Sequence, residues 1–162
     1  MQQSASVQAR SGAPGKAHPA RVAVVATPDG DGWRFAMRQD SQAVDRLDFS
    51  KDAAGMRKAD WHEIDFMLED PSGRLAFPRD KWDAIWVARG TETEAPDCPR
   101  AASRDHDVYP LWVKDKVLRV CNRNSDRCLL SFALNFVPTG SPDGPIVATL
   151  DPIMGNGNGG RA

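Results

Sequence analysis

Cys128-Leu129-Leu130-Ser131-Phe132-Ala133-Leu134-Asn135-Phe136-Val137 decides the fold class of this chain. Leu130, Phe132, Leu134 and Phe136 recur at every second position, the period of a strand with one buried face. Leu111 to Cys121 reads the same way through Leu118 and Val120, and the polar stretch Asn122-Arg123-Asn124-Ser125-Asp126-Arg127 joins the two runs. Taken as a hairpin, they have facing residues whose numbers share a constant sum. Placing Cys121 opposite Cys128 makes that sum odd and throws Leu118 and Val120 onto the face away from Leu130 and Phe132. A one-residue slip flips every side chain, so the apolar pattern selects the even register. Cys128 then points into the core and Cys121 away from it, which argues against a disulfide between them; a bulge would undo that order.

Outward from this pair, short strand-like runs alternate with turn signals. Arg21 to Thr27 is a first strand, ended by Pro28-Asp29-Gly30, and Gly32 to Arg38 alternates Trp33, Phe35 and Met37 with polar or small residues. Ser41 to Asp45 reads as the start of a short helix capped by Ser41. His62, Ile64, Phe66 and Leu68 alternate with Glu63, Asp65 and Glu69, and Asp70-Pro71-Ser72-Gly73 turns that strand towards a partner at Arg74 to Phe77. Lys81 to Arg89 fits either period, and the β-branched Ile85 and Val87 tip it towards strand. Residues 91 to 107, with five acids and Pro96 and Pro99, read as a long exposed loop, and Ile146 to Leu150 is the last strand. These runs predict an all-β, antiparallel two-sheet sandwich with at most a short helix. Its core holds Val22, Val24, Phe35, Ile64, Phe66, Leu118, Val120, Leu130, Phe132, Leu134 and Phe136. Residues 1–19, rich in Ser, Ala, Gln, Gly and Pro, read as a disordered tail, 20–154 as the sandwich, and 155–162 as a flexible Asn/Gly tail.

The 162 residues suit one domain, and 41% hydrophobic with 27% charged residues is ordinary for a globular protein. Lys plus Arg number 21 against 22 Asp plus Glu, so no positive field marks a nucleic-acid surface. No apolar run reaches the roughly 18 residues of a membrane span, and the first residues lack the apolar segment of a secretory signal, so the expected location is cytoplasmic. Three cysteines, Cys98, Cys121 and Cys128, without a CxxC pair, argue against a disulfide framework and a thiolate zinc site.

Chemistry is sparsely marked. Asp105-His106-Asp107, with Cys98 nearby in sequence, is the one place where imidazole, carboxylate and thiol come together outside a strand; it can hold a divalent metal or orient a base, or be a solvated acidic loop. His62 on an inward face reads as a hydrogen-bonded core histidine, and Asp29-Gly30-Asp31-Gly32 reads as a turn, since it lacks the later ligands of a calcium loop. No nucleophile elbow, phosphate loop or dinucleotide fingerprint is present. Five tryptophans against one tyrosine is an unusual balance. Trp61, on the outer face of its strand, and Trp82, Trp86 and Trp112 are the residues from which a ligand platform or an interface would be built.

The C-terminal third, from Val117-Leu118-Arg119-Val120 through Ser131-Phe132-Ala133-Leu134-Asn135-Phe136 to Leu150-Asp151-Pro152-Ile153-Met154-Gly155-Asn156-Gly157, resembles small bacterial β-sandwich proteins sometimes called DP-EP proteins. The resemblance implies an immunoglobulin-like sandwich and carries over no catalytic residue. With no catalytic motif, surplus tryptophan and sheet edges open to another chain, the expected function is a non-enzymatic interaction or structural module that self-associates, without cofactor. The alternative is a small-ligand or glycan-binding module working through exposed tryptophans.

Overall fold

A computed structural model describes residues 14–50 and 56–157, and just over half of these lie in strands. The strands are β1 (Ala17–Asp29), β2 (Gly32–Gln39), β3 (Gln42–Val44), β4 (Arg46–Asp48), β5 (Trp61–Glu69), β6 (Leu75–Ala76), β7 (Ile85–Arg89), β8 (Val108–Lys114), β9 (Val117–Asn122), β10 (Cys128–Pro138), β11 (Ala148–Leu150) and β12 (Ile153–Asn156). The one described helix, α1 (Lys81–Ala84), is a single turn whose first N–H groups are capped by the Asp80 carboxylate, which accepts from the Trp82 N–H at 2.9 Å.

The expected two-sheet sandwich is present. One sheet, called A here, runs β3-β2-β1-β5-β9-β8; the other, B, runs β11-β10-β12-β4, with β6 and β7 also paired to β10. Every inward residue expected from the alternation is fully buried except Phe35, which is half-buried against Phe136 with ring centroids 5.2 Å apart. Tight two-residue turns join β1 to β2, β2 to β3 and β8 to β9, each with a residue of positive φ: Gly30 (60°), Asp40 and Ser41 (52° and 67°), and Asp115 (55°).

Several local expectations are corrected. The sheets are mixed, not purely antiparallel: β1 pairs β5 in parallel from Ala17↔Trp61 to Val25↔Glu69, and β12 pairs β4 in parallel. The chain leaves β1 through β2 and β3, crosses into sheet B as β4, and re-enters sheet A as β5 from the end where β1 began. The supposed hairpin of Leu111–Cys121 with Cys128–Val137 does not form. Leu111 to Cys121 is itself folded back at Asp115-Lys116 into β8 and β9, and β10 belongs to the opposite sheet. The hydrophobic pattern orders side chains in or out, and two strands facing each other across a core carry the same signal as two strands paired edge to edge. The cysteines are nonetheless free, with Cys128 in the core and Cys121 buried on the other side of its sheet.

Ser41 caps no helix; with Asp40 it makes the hairpin turn, and Gln42–Val44 is a strand. Leu75–Ala76 pairs β10, not β5. Lys81–Arg89 is both alternatives in turn, helix then strand. The predicted tails are shorter where they are described. Ala17, His18 and Pro19 lie in β1, and Gly155 and Asn156 are buried in β12; residues 1–13 and 158–162 lie outside the described residues.

The outer faces of the sheets differ. Strand β10 is buried on both sides over almost its whole length, including the outward Ser131, Ala133 and Asn135. The segment between β7 and β8 and the helix α1 cover it: the Ser131 hydroxyl donates to the Pro96 carbonyl and the Asn135 Nδ2 donates to the Asp83 carbonyl at 2.9 Å. Over β2, β1 and β5, sheet A has no such cover among the described residues; towards β8, Cys121 is buried on the outer side. β1 and β5 make their close backbone contacts with strands of their own sheet, and their outward side chains stay half-buried or exposed.

Candidate functional site

The Asp105-His106-Asp107 loop becomes a charged cluster once the fold adds Arg89, Asp126 and Cys128. Arg89, the last residue of β7, donates from Nε to Asp105 Oδ1 and from Nη2 to Asp105 Oδ2, both at 2.9 Å. This is a two-point guanidinium–carboxylate pair, the strong geometry for such contacts. Arg89 Nη1 also donates to Asp126 Oδ2 at 3.3 Å and to Cys128 Sγ at 3.0 Å, and Nη2 lies 3.6 Å from Asp107 Oδ2. Asp105 Oδ2 further accepts the N–H groups of Asp107 (2.9 Å) and Val108 (3.1 Å), and Asp107 Oδ2 accepts that of Ser125 at 3.0 Å.

Burial pushes the Asp105 carboxyl up, but the Arg89 and backbone hydrogen bonds outweigh it and hold its pKa below the ordinary value. Burial pushes the Cys128 thiol up, against the pull of Arg89. The thiol therefore stays protonated near neutral pH and is no nucleophile.

His106, Asp107 and Asp126 place one ligand atom each within 4.8 Å of one another and are the residues that could hold a metal ion. Arg89 stands against two of the same carboxylates, so a cation already fills that position. His106 is 67% exposed and touches Asp126 at 3.5 Å. Cys98 does not join the cluster: its charged neighbours are Asp151 and Arg100, and burial first, then Asp151, raises its pKa. As an arrangement, the cluster is a staple. The Arg89–Asp105 pair ties the end of β7 to the far end of the segment covering sheet B, beside the backbone bonds from the Val87 N–H to the Ser103 carbonyl at 3.0 Å and from the Gly90 N–H to the Leu129 carbonyl at 2.8 Å.

The tryptophans do not form one platform, and all five are half-buried. Trp82, in α1, lies under Arg104 at 4.0 Å and near Lys81 at 5.6 Å, and Trp112, in β8, lies under Arg119 at 4.7 Å. Trp86 is outward on β7 beneath the covering segment, with its indole nitrogen buried and without an acceptor among the described residues. Trp61 opens β5 on the outer face of sheet A, as alternation placed it. Trp33, which the argument for a platform did not favour, sits under Arg74 at 4.8 Å in a 490 Å³ depression that also includes Asp31, Thr139 and the half-exposed Val147.

His62 is the core histidine expected. It is buried against Phe49, 4.5 Å between ring centroids, with Asn124 Nδ2 at 3.4 Å. Beside it, Asn122 of β9 and Asn156 of β12 exchange reciprocal amide hydrogen bonds of 2.8 and 2.9 Å, tying sheet A to sheet B.

The outer face of sheet A is the remaining candidate, an interaction surface. Register sets Ala36 beside Val25, Ala23 beside Met67, and Met67 beside Val117, a band of small and apolar side chains across four strands. On β2 the band is flanked by Arg34 and Arg38; on β5 it is flanked by Glu63, Asp65 and Glu69. Arg119 of β9 pairs with Asp65 (2.8 and 2.9 Å) and Glu63 (3.1 Å). No described carboxylate pairs with Arg21, Arg34 or Arg38, and no described cation pairs with Glu69. The alternation Arg34-Phe35-Ala36-Met37-Arg38 carried this signal in the sequence. That β2, β1 and β5 lie side by side did not show there.

No family model matches the chain, and no curated protein matches it. Among the described residues, no helix is long and apolar enough to cross a membrane.

Proposed function

We propose that this protein is a non-enzymatic β-sandwich interaction module that associates with copies of itself. The observation that carries the reading is the contrast between its charged groups. Those with catalytic character, at Asp105, Asp107 and Cys128, are tied to Arg89 and to backbone N–H groups of their own chain. Those on the outer face of sheet A flank an uncovered apolar band, the composition of a surface made to meet another protein. Light scattering on the full chain, from low micromolar to near-millimolar concentration, tests it. A rise in mean mass towards a defined oligomer is expected, and a constant monomer mass throughout overturns the reading.

A second reading has one observation in its favour. The Trp33 depression combines an aromatic face, the Arg74 cation, the Asp31 carboxylate and the Thr139 hydroxyl, the mix that sugar rings or planar polar ligands use. Tryptophan fluorescence titrated with a glycan panel, against the Trp33→Ala variant, tests this reading. A shift lost in the variant supports ligand binding, and no shift with any glycan removes it.

A further inference from the structure

We infer that the occupant of the outer face of sheet A is the same face of a second copy, related by a two-fold axis lying along β1. The inference rests on the self-association proposed above and names its surface. An axis along β1 places β1 on its own copy and β2 over the partner copy's β5, because β2 and β5 are the two neighbours of β1. At the centre, Ala23 and Val25 meet their own counterparts, and side chains this small let two sheets approach to about 10 Å.

To either side, register decides what meets. Ala36 is level with Val25 and hence with Glu69, so Ala36 of one copy faces Glu69 of the other. Arg34 and Arg38 then stand one step before and after that carboxylate, roughly 7 Å away along the strand. Arg38 is level with Met67 and overlies its side chain, with Asp65 a step beyond. The symmetry makes each such contact twice, so the unpaired cations of β2 meet the carboxylates of β5 at both sides of the axis. Arg21 alone meets its own copy near the axis. It does so one step along the same face from Ala23, with Asp65, its register partner on β5, as the carboxylate beside it.

β2 flanks β1 over Val22–Asp29 and β5 flanks it over Ala17–Val25, so β2 overlies the partner copy's β5 at the levels of Val22–Val25. With β1 on β1, the facing strands cover roughly 300 Å² in plan, below the about 800 Å² per partner of a standard specific interface, which fits a weak dimer.

The test is a charge exchange read by sedimentation equilibrium on the full chain. Arg34→Glu/Arg38→Glu sets two like-charged strips against each other, and Glu69→Arg does the same from the other side. Each variant alone is expected to weaken dimerisation about tenfold or more. Mixed, the two variants restore the opposite-charge contacts to position 69 on both sides of the axis, and a heterodimer stronger than either variant alone is expected. Circular dichroism of each variant checks the fold, which these exposed positions should leave intact. A wild type that stays monomeric overturns both this inference and the reading it rests on. A wild-type dimer that persists in both variants overturns this face while self-association stands. Weakened dimers that do not recover on mixing overturn the two-fold arrangement.

Discussion

The two sheets are built from similar alternating strands, yet their outer faces end differently. On sheet B the outward Ser131, Ala133 and Asn135 of β10 are buried, because the segment from Gly90 to Asp107 and the helix α1 fold over them. On sheet A the outward Ala23, Val25, Met67 and Val117 keep partial exposure. The charges follow the same division. Arg89 is bonded to carboxylates of its own chain, whereas Arg34, Arg38 and Glu69 have no ionic partner among the described residues. Charges satisfied within a chain hold its architecture; opposite charges arranged on either side of an uncovered apolar band are suited to a partner.

Substitutions that remove the cover of sheet B should cost most. A Cβ at Gly90 would fall 2.1 Å from the Glu94 carbonyl oxygen and 2.9 Å from that of Leu129, both backbone atoms that cannot move aside cheaply. Gly90→Ala should therefore lower stability by about 3 kcal/mol or more in urea unfolding. Arg89→Met should cost about 3 kcal/mol, since it leaves Asp105 buried without its cation. Breaking the tie between the sheets is next: Asn122→Ala leaves the buried Asn156 amide without its partner and should cost about 2 kcal/mol.

The pH dependence of this division has a definite sign. The folded pKa of Asp105 is depressed, so its contribution is present above the unfolded carboxylate value of about 3.9 and is lost as pH falls through the lower folded value. Asp60 behaves alike: the His18 hydrogen bond first, and the backbone N–H groups of Lys16 and Arg57, hold its carboxyl well below the usual range. Stability measured from pH 5 downwards should fall steeply in the wild type, and Asp105→Asn should flatten part of that fall while lowering the plateau above it. An unchanged slope would remove Asp105 from the account. On sheet A the same measurements should barely move: Arg34→Glu, Arg38→Glu and Met67→Ser should each change monomer stability by less than about 0.5 kcal/mol.

How much of this was legible in the sequence depends on what the physics of each feature requires. Period-two alternation identified β2, β5 and β10 and their inward residues, because burial on one face is written into the strand itself. It could not say which strands pair. The parallel β1–β5 pairing and the assignment of β9 and β10 to opposite sheets depend on crossovers that leave no local mark. Asp40-Ser41 shows a different limit: serine before a short polar run serves a helix cap and a tight hairpin turn alike. For the candidate sites, Asp105, His106 and Asp107 were adjacent and visible. Arg89 and Asp126, which turn them into a staple, arrive from 16 or more residues away. The tryptophan count drew attention to an interface, but the charges and small residues flanking β1 define one more sharply, and they required the strand order.

The central claim is that the outer face of sheet A is the surface left for a partner copy, and Met67 lies at its middle. Hydroxyl-radical footprinting of the full chain, at concentrations far below and far above the onset of association, tests this most directly. Oxidation of Met67 should fall as concentration rises, while that of Trp33 and Trp82, outside the proposed contact, should stay constant. Met67 oxidation that is independent of concentration, in samples whose mass shows association, would contradict the claim.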